Sequence, residues 1–285
     1  MILAGDVGGT KILLEVGEFR SARWRPLLAR RYLLDDFASM DAVFDAFLGE
    51  WREVRPAGAR IAAGVLGVAG PVLGNCVAMT NRPWRLDGER LGSRFKVPGL
   101  RLINDLAAAA HGLEVLALDD FLTIQDGRAE KGKPRVLLGV GTGLGVAYLL
   151  GSGQVVAGEG GHVGFSPAIP PQVQLWKMLA KVHPRVEAEH VVCGRALQRD
   201  GLELFSANLG NVAGDQALNV MATGGVYLCG GVIARIAPTI RREAFRAAFT
   251  AKGAHASILM KIPVRAVLNE KIALLGAARA ATKKM

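Results

Sequence analysis

Apolar and polar positions alternate over the opening of the chain and predict three strands, Ile2 to Ala4, Lys11 to Glu18 and Trp24 to Leu34, with a glycine-rich turn after the first. The period then changes: Val43, Phe44, Phe47, Leu48, Trp51 and Val54 recur at helical spacing behind Ser39 and Asp41, either of which can cap a helix. Residues 60–70 return to strand, Gly70-Pro71 turns the chain, and a short strand over Leu100 to Ile103 ends at Asn104-Asp105. An alanine-rich helix is predicted from Leu106, then a strand over Phe121 to Ile124 and a polar loop from Asp126 to Pro134.

At Arg135 the pattern begins again. LAGDVGGTKILLEVGE near the start and LLGVGTGLGVAYLLGS from Leu137 share one plan, an apolar strand, a Gly/Thr turn and a second apolar strand. A duplicated unit of this kind predicts two α/β domains whose glycine turns face a common gap. Downstream, helices are predicted over Gln172 to Lys181, Asp215 to Ala222, Val232 to Phe249 and Glu270 to Lys283, with a strand over Ile262 to Val267. The last helix is expected to pack back on the first domain.

Composition narrows the class. The chain has 285 residues, 51% hydrophobic and 21% charged, enough for two domains and incompatible with a disordered or coiled-coil protein. Its 36 glycines are clustered, which implies tight backbone turns. Cys76, Cys193 and Cys229 lie far apart without a CxxC pair, as expected in a reducing compartment. The net charge of +10 raises the question of nucleic acid or an anionic membrane. Basic residues come at most as pairs, Arg30-Arg31, Arg241-Arg242 and Lys283-Lys284, so the pattern argues against both and suits small anionic substrates. Residues 136–158 carry no charge and are long enough for a membrane span, but seven glycines there predict a buried hairpin. The start, Met-Ile-Leu-Ala-Gly-Asp, has no positive region and reads as no signal peptide, so a cytoplasmic protein is expected.

Three glycine-rich turns are candidates for chemistry: Gly5-Asp6-Val7-Gly8-Gly9-Thr10, Gly139 to Gly145 with Gly141, Thr142 and Gly143 at its tip, and Gly224-Gly225 through Gly230-Gly231. Such turns bring backbone N–H groups and threonine hydroxyls close to phosphate oxygens. None matches GxxxxGK(S/T), and one alone would read as an ordinary hairpin; three, two of them at matching places in a repeat, favour a nucleotide. Asp6 suits either a turn cap or a water-mediated holder of Mg²⁺. Asn104 and Asp105 suit either a helix N-cap or, for Asp105, a proton acceptor at a strand's carboxyl end. Gly158-Glu159-Gly160-Gly161-His162-Val163-Gly164 sets an acid and an imidazole among glycines, where they could bind vicinal hydroxyls; a buried structural histidine is the plainer alternative. Glu189, in Ala188-Glu189-His190-Val191, reads by itself as a surface or helix-start acid.

These residues together resemble the bacterial ATP-dependent glucokinases of the sugar kinase and actin superfamily. The resemblance rests on GDVGGT at 5–10, AMTNRPW at 78–84, LINDLAA at 102–108, GVGTGLGVA at 139–147, GEGGHVGF at 158–165, EAEHVVCG at 187–194, TGGVYLCGGVIAR at 223–235 and LLGAA at 274–278. GEGGHV with IND is its specific part. It implies two ribonuclease-H-like, actin-like ATPase domains with a cleft between them. Residues 1–106 with 270–285 would form the small domain carrying the first phosphate loop, and 107–269 the large one carrying the second. Gly5, Asp6, Val7, Gly8, Gly9 and Thr10, then Gly141, Thr142 and Gly143, would hold the phosphates of ATP, with Gly230 and Gly231 under the adenosine and Asp6 toward Mg²⁺. Asp105 would take the proton of the glucose 6-hydroxyl, and Asn104, Glu159, His162 and Glu189 would bind the other hydroxyls.

Two departures from the pattern stand out. Between Leu197 and Gly214 the chain is markedly shorter than the enterobacterial type, which bears on the homodimer that the resemblance brings into view. Lys11 follows the first phosphate loop, as in the neighbouring ROK sugar kinases, but their cysteine cluster for zinc is absent. A kinase for another hexose, mannose or N-acetylglucosamine, is the alternative within the same chemistry. A sugar-sensing DNA-binding regulator is the alternative outside it, opposed by the first strand's start at Ile2, which leaves no helix-turn-helix ahead of it, and by the intact Asp105.

Overall fold

A computed structural model describes residues 1–79 and 82–283; Thr80 and Asn81 of the AMTNRPW motif, and Lys284 of the terminal lysine pair, lie outside the described residues. The chain divides into two compact units, residues 1–116 together with the segment from Lys271, and Ala117–Glu270.

The first unit opens with β1 (Ile2–Val7), β2 (Lys11–Arg20) and β3 (Arg23–Leu33), an antiparallel meander. Helix α1 (Met40–Val54) follows, and Ser39 rather than Asp41 caps it, its hydroxyl accepting from the Ala42 N–H. Its apolar stripe, with Phe44 and Phe47 fully buried, joins the core that also holds Leu3, Val7, Ile12 and Leu14 of the first two strands. Then come β4 (Ala63–Val68), the β5 (Cys76–Ala78) and β6 (Arg85–Asp87) ribbon, α2 (Gly88–Phe95), β7 (Arg101–Asn104) and α3 (Asp105–Gly112). The five-stranded sheet has the order β3-β2-β1-β4-β7, with β1, β4 and β7 parallel. Parallel register aligns Val7, Val68 and Asn104 in one row, so the first glycine turn and the start of α3 emerge at the same carboxyl edge.

The second unit repeats the plan. After β8 (Phe121–Gln125), strands β9 (Arg135–Val140), β10 (Leu144–Leu149) and β11 (Val155–Gly158) form the antiparallel meander. The uncharged run at 136–158 is therefore three strands, and among the described residues no helix is long and apolar enough to cross a membrane. Helices α4 (Pro170–Leu179), α5 (Ala188–Val191) and α6 (Gly194–Asn219) follow, then β12 (Val226–Cys229), α7 (Gly231–Ile236), α8 (Arg242–Thr250), α9 (Ala256–Leu259) and β13 (Val264–Val267). Here the sheet order is β11-β10-β9-β12-β13-β8.

Two helix predictions are corrected. The predicted helix at Asp215–Ala222 is only the end of α6, which begins at Gly194. From Phe205 to Gly214 every residue of α6 is buried, so no amphipathic period marks it in the sequence. A Cβ at Gly210 would stand 2.1 Å from the Phe245 carbonyl oxygen, and one at Gly214 2.6 Å from that of Phe249, so the glycines four apart form the seam on which α8 lies. The helix predicted over Val232–Phe249 is broken into α7 and α8, because Pro238 supplies no N–H to continue the ladder.

The chain then returns to the first unit with α10 (Ile272–Ala281), which packs through Leu274, Ala277 and Ala278 on Ala4, Val65 and Ala108. Helix α10 lies against α3 at backbone contact: a Cβ on Gly276 would stand 1.7 Å from the Ala108 oxygen, and one on Gly112 2.3 Å from the Ile272 oxygen. Lys271 Nζ donates to buried Glu15 at 2.9 Å, and Trp24 Nε1 donates to the same carboxylate at 2.6 Å, tying α10 to the meander.

Two outcomes are expected. Gly276→Ala forces α3 and α10 apart, with a cost of about 1–3 kcal/mol on the scale of overpacked cores, and thermal denaturation should show a melting temperature lowered by several degrees. His111, half-buried in the last turn of α3, has its pKa pushed down from 6.5 to about 4, mainly by burial and then by the Lys283 charge. Below pH 6.5 the unfolded chain takes up a proton that the folded His111 refuses, so stability falls as pH drops from about 6.5 toward 4. Denaturant titrations of His111→Gln across that window should show a shallower pH slope than wild type.

Candidate active site

In the first unit, Asp6 lies on β1 one residue before the strand's end, paired with Leu13 on β2 and Gly67 on β4. Gly67 has a packing reason: a Cβ there would meet the Ala108 Cβ at 2.9 Å and the Asp105 Cα at 3.6 Å. Its absence draws the start of α3 onto the sheet, beside Asp6. Burial, then the charge of Asp105, pushes the Asp6 carboxyl up from 3.8 to about 6, against the opposing pull of Lys11. The turn between β1 and β2 is closed by the Gly8 N–H donating to the Lys11 carbonyl at 3.0 Å.

Asn104 is the N-cap of α3. Its Oδ1 accepts from the Leu106 and Ala107 N–H groups at 2.9 and 3.1 Å, and its Nδ2 donates to the Gly70 carbonyl at 3.2 Å. Asp105 is the first helical residue, and its Oδ1 accepts from the Leu106 N–H at 2.9 Å. The capping duty that either residue could have filled thus falls mainly on Asn104. An acid in the first turn also gains from the positive end of the helix dipole.

In the second unit the glycine turn between β9 and β10 is closed by the Gly141 N–H donating to the Gly143 carbonyl at 2.9 Å. Glu189 lies on it: Oε2 accepts from the Leu144 N–H at 2.9 Å, and a Cβ on Gly143 would collide with that carboxylate at 2.4 Å. Gly194, at the start of α6, donates its N–H to the Gly141 carbonyl at 2.9 Å. The third turn joins the same place, because a Cβ on Gly230, at φ 97°, would stand 2.4 Å from the Val140 oxygen. Glycine alone permits both that backbone angle and that approach.

The same Leu144 seats the acid and imidazole. A Cβ on Gly161 would be 1.9 Å from the Leu144 oxygen, and one on Gly160 2.8 Å from the Val146 Cβ, so the Gly160-Gly161 pair lies flat on β10. Glu159 and His162 bracket that pair as exposed side chains, with His162 Nε2 4.0 Å from Glu159 Oε2. His162 is thus not a buried structural histidine. Its Nδ1 lies 2.9 Å from Glu187 Oε2, and that hydrogen bond, followed by the charges of Glu189, Glu187 and Glu159, raises its pKa.

The structure therefore gathers Asp6, Asn104 and Asp105 with the first turn in one unit. In the other it gathers Glu159, His162, Glu189 and the second and third turns. Glu187 is the residue that reading along the sequence misses. It opens the EAEHVVCG motif at 187–194, but its partner is hidden there, because the bridge between Gly164 and Glu187 that brings it to His162 spans distant parts of the chain. Among the described residues there is no group of three His, Cys, Asp or Glu side chains that could hold a metal ion.

Comparison with known proteins identifies the family. A family model described as glucokinase matches residues 3–200 and 196–284. A glucokinase of Nostoc sp. is 31% identical over 344 aligned residues, covering 99% of each chain. The crystal structure of a glucokinase from an Antarctic psychrotroph superposes with a TM-score of 0.88 at 26% identity, covering 99% of each chain. A ROK family glucokinase from Streptomyces griseus, solved in complex with glucose and AMPPNP, shares the fold at a TM-score of 0.63 and 20% identity, covering 99% of each chain. The fold is the two-unit α/β fold of sugar kinases, and the chain belongs to the glucokinase family.

Proposed function

We propose that this protein transfers the γ-phosphoryl group of ATP to the 6-hydroxyl of glucose, forming glucose 6-phosphate and ADP in the first step of glycolysis. Asp105 accepts the hydroxyl proton as the sugar oxygen attacks the γ-phosphorus, a new P–O bond forms, and the bond to the ADP oxygen breaks. Asn104 donates its remaining amide hydrogen to a neighbouring hydroxyl, and Glu159, His162 and Glu189 bind the others. Glu189 has Oε1 for that purpose, since Oε2 is occupied by the Leu144 N–H. The turn at Gly5, Asp6, Val7, Gly8, Gly9 and Thr10, and that at Gly141, Thr142 and Gly143, present N–H and hydroxyl donors to the phosphates, with Gly230 and Gly231 beneath the adenosine. Relatives named glucokinase support this reading, as do the glucose and AMPPNP held by the Streptomyces griseus enzyme of the same fold.

The observation that carries it is the proximity of Asp6 and Asp105 at the carboxyl edge of the first sheet. The Asp105 charge raises the proton affinity of Asp6 against the pull of Lys11, and an acid so placed fits a site that takes a cation. Asp6 would hold Mg²⁺ through water, and the ion when bound offsets phosphate charge. In this reading Asp6 is the acid on the metal side and Asp105 the acid that takes the sugar proton. A cytoplasmic site of action and small-molecule substrates without nucleic acid belong to the same reading.

Coupled-assay turnover on MgATP with glucose, mannose, fructose and N-acetylglucosamine should show a strong preference for glucose. Asp105→Asn is expected to lower kcat by about 10²–10⁴-fold, the usual contribution of a general base, while glucose KM changes far less. A near wild-type kcat would remove Asp105 from the role, and preference for another hexose would reassign the sugar.

A further inference from the structure

We propose that Glu187 is a positioning residue for sugar binding: its carboxylate fixes the His162 ring with Nδ1 protonated and Nε2 turned to the sugar as a hydrogen-bond donor. This rests on the reading of His162 as a sugar ligand and adds to it a second residue and a pH dependence.

An exposed imidazole on a short turn has no preferred orientation of its own. The His162 side chain is 54% exposed and follows two glycines, and within its own segment Glu159 comes no closer to the ring than 4.0 Å at Nε2, too far for a hydrogen bond. Glu187 is held far more firmly. Gly164 and Glu187 form a β-bridge, and on either side of it the Phe165 N–H donates to the Val186 carbonyl and the Ala188 N–H to the Val163 carbonyl, each at 2.9 Å. This short ladder fixes the Glu187 backbone one residue beyond the His162–Val163 step, and the carboxylate reaches back to the ring at 2.9 Å.

The hydrogen-bond inventory sets the tautomer. An ionised carboxylate only accepts, so Nδ1 of His162 must carry the hydrogen in that bond. Nε2 then donates whenever the ring is protonated and only accepts when it is neutral. The charges facing His162 are those of Glu187, Glu159 and Glu189, all negative, and they favour the protonated ring. Those facing Glu187 are His162, His190 and Arg185.

His190 is excluded from the same duty by its own contacts. Its Nδ1 accepts the Glu187 N–H at 3.1 Å and so carries no hydrogen, and its ring stacks on His183 at a centroid distance of 3.9 Å. Burial and the His183 charge lower its pKa. Two imidazoles beside one glutamate are therefore pushed in opposite directions, His162 toward the protonated form and His190 toward the neutral one, as in sites where titratable neighbours divide acid and base roles. A surface ion pair kept only for stability would contribute little, whereas one that orients a donor acts on substrate binding.

The pKa of His162 is raised, so the ring is protonated below that pKa and loses its Nε2 hydrogen as pH rises through it. Glucose KM should be flat on the acid side and climb above that point, up to about tenfold per pH unit.

The test uses the full chain with Glu187→Gln and Glu187→Ala. Glu187→Gln keeps an acceptor but removes the charge; it should move the KM break to lower pH while leaving kcat at saturating glucose and the melting temperature unchanged. Glu187→Ala should raise glucose KM several-fold at every pH. Nuclear magnetic resonance titration of ¹⁵N-labelled imidazoles should show the His162 pKa lowered in both variants. The proposal is overturned if the His162 titration in Glu187→Gln superposes on wild type, or if that titration shifts and the KM break does not. His162→Ala separates this from failure of the sugar reading: an unchanged glucose KM there would remove His162 as a ligand, whatever the titration shows about its pairing with Glu187.

Discussion

Everything at the first unit's site depends on how closely α3 is drawn against the sheet and α10. Three positions permit it. At Gly67, Gly112 and Gly276 a single added methyl would meet a neighbour at 2.9, 2.3 and 1.7 Å respectively, and at the last two that neighbour is a carbonyl oxygen, which cannot swing aside. The residues between these contacts, Ala108 to Ala110, are buried and small for the same reason. The result is that Asp105, at the first turn of α3, stands beside Asp6 on β1, two acids held together by the backbone around them. The Asp105 charge adds to burial in holding the Asp6 carboxyl above its ordinary range, an electrostatic cost that the packing imposes.

The second unit solves a related problem with different chemistry. Leu144 is its fixed point: the N–H holds Glu189, and the oxygen is the surface on which Gly161 lies. One residue thus registers the acid from α5, the acid and imidazole of the Glu159–His162 turn, and the glycine turn that ends at Gly143. Because the anchoring is through the main chain of a strand, side-chain substitutions at 144 would disturb it less than a methyl at Gly161.

How much of this the sequence discloses follows from which signals are local. The two meanders are legible because alternation and glycine turns act over a few residues, and the repeat from Arg135 makes the second legible from the first. The interior of α6 is not: buried on all sides, with Gly210 and Gly214 chosen to fit α8, it lacks both period and helix-forming composition. Asp6, Asp105, Glu159 and His162 can be singled out from motif chemistry, but the choice of Asn104 as cap waits on its contacts with Leu106, Ala107 and Gly70. Glu187 is illegible for a plainer reason, since its role comes from a bridge to Gly164 across the whole of α4.

Between Leu197 and Gly214 the fold has a place where chain length can vary. The family model matches in two pieces that meet at residues 196–200, and the Nostoc alignment runs over 344 residues where this chain has 285. At that junction α6 is interrupted by Gly201 with φ 73°, a backbone angle outside the helix that glycine adopts without strain. Gly194, whose N–H meets the Gly141 turn, lies before the interruption, and the Gly210/Gly214 seam with α8 lies after it. Each contact is made by its own helical segment, so the chain between them can change length at residue 201 without moving either. A change of chain length at that point therefore falls on the surface near α6, away from the contacts that hold the glycine turn, Glu189 and the His162 cluster.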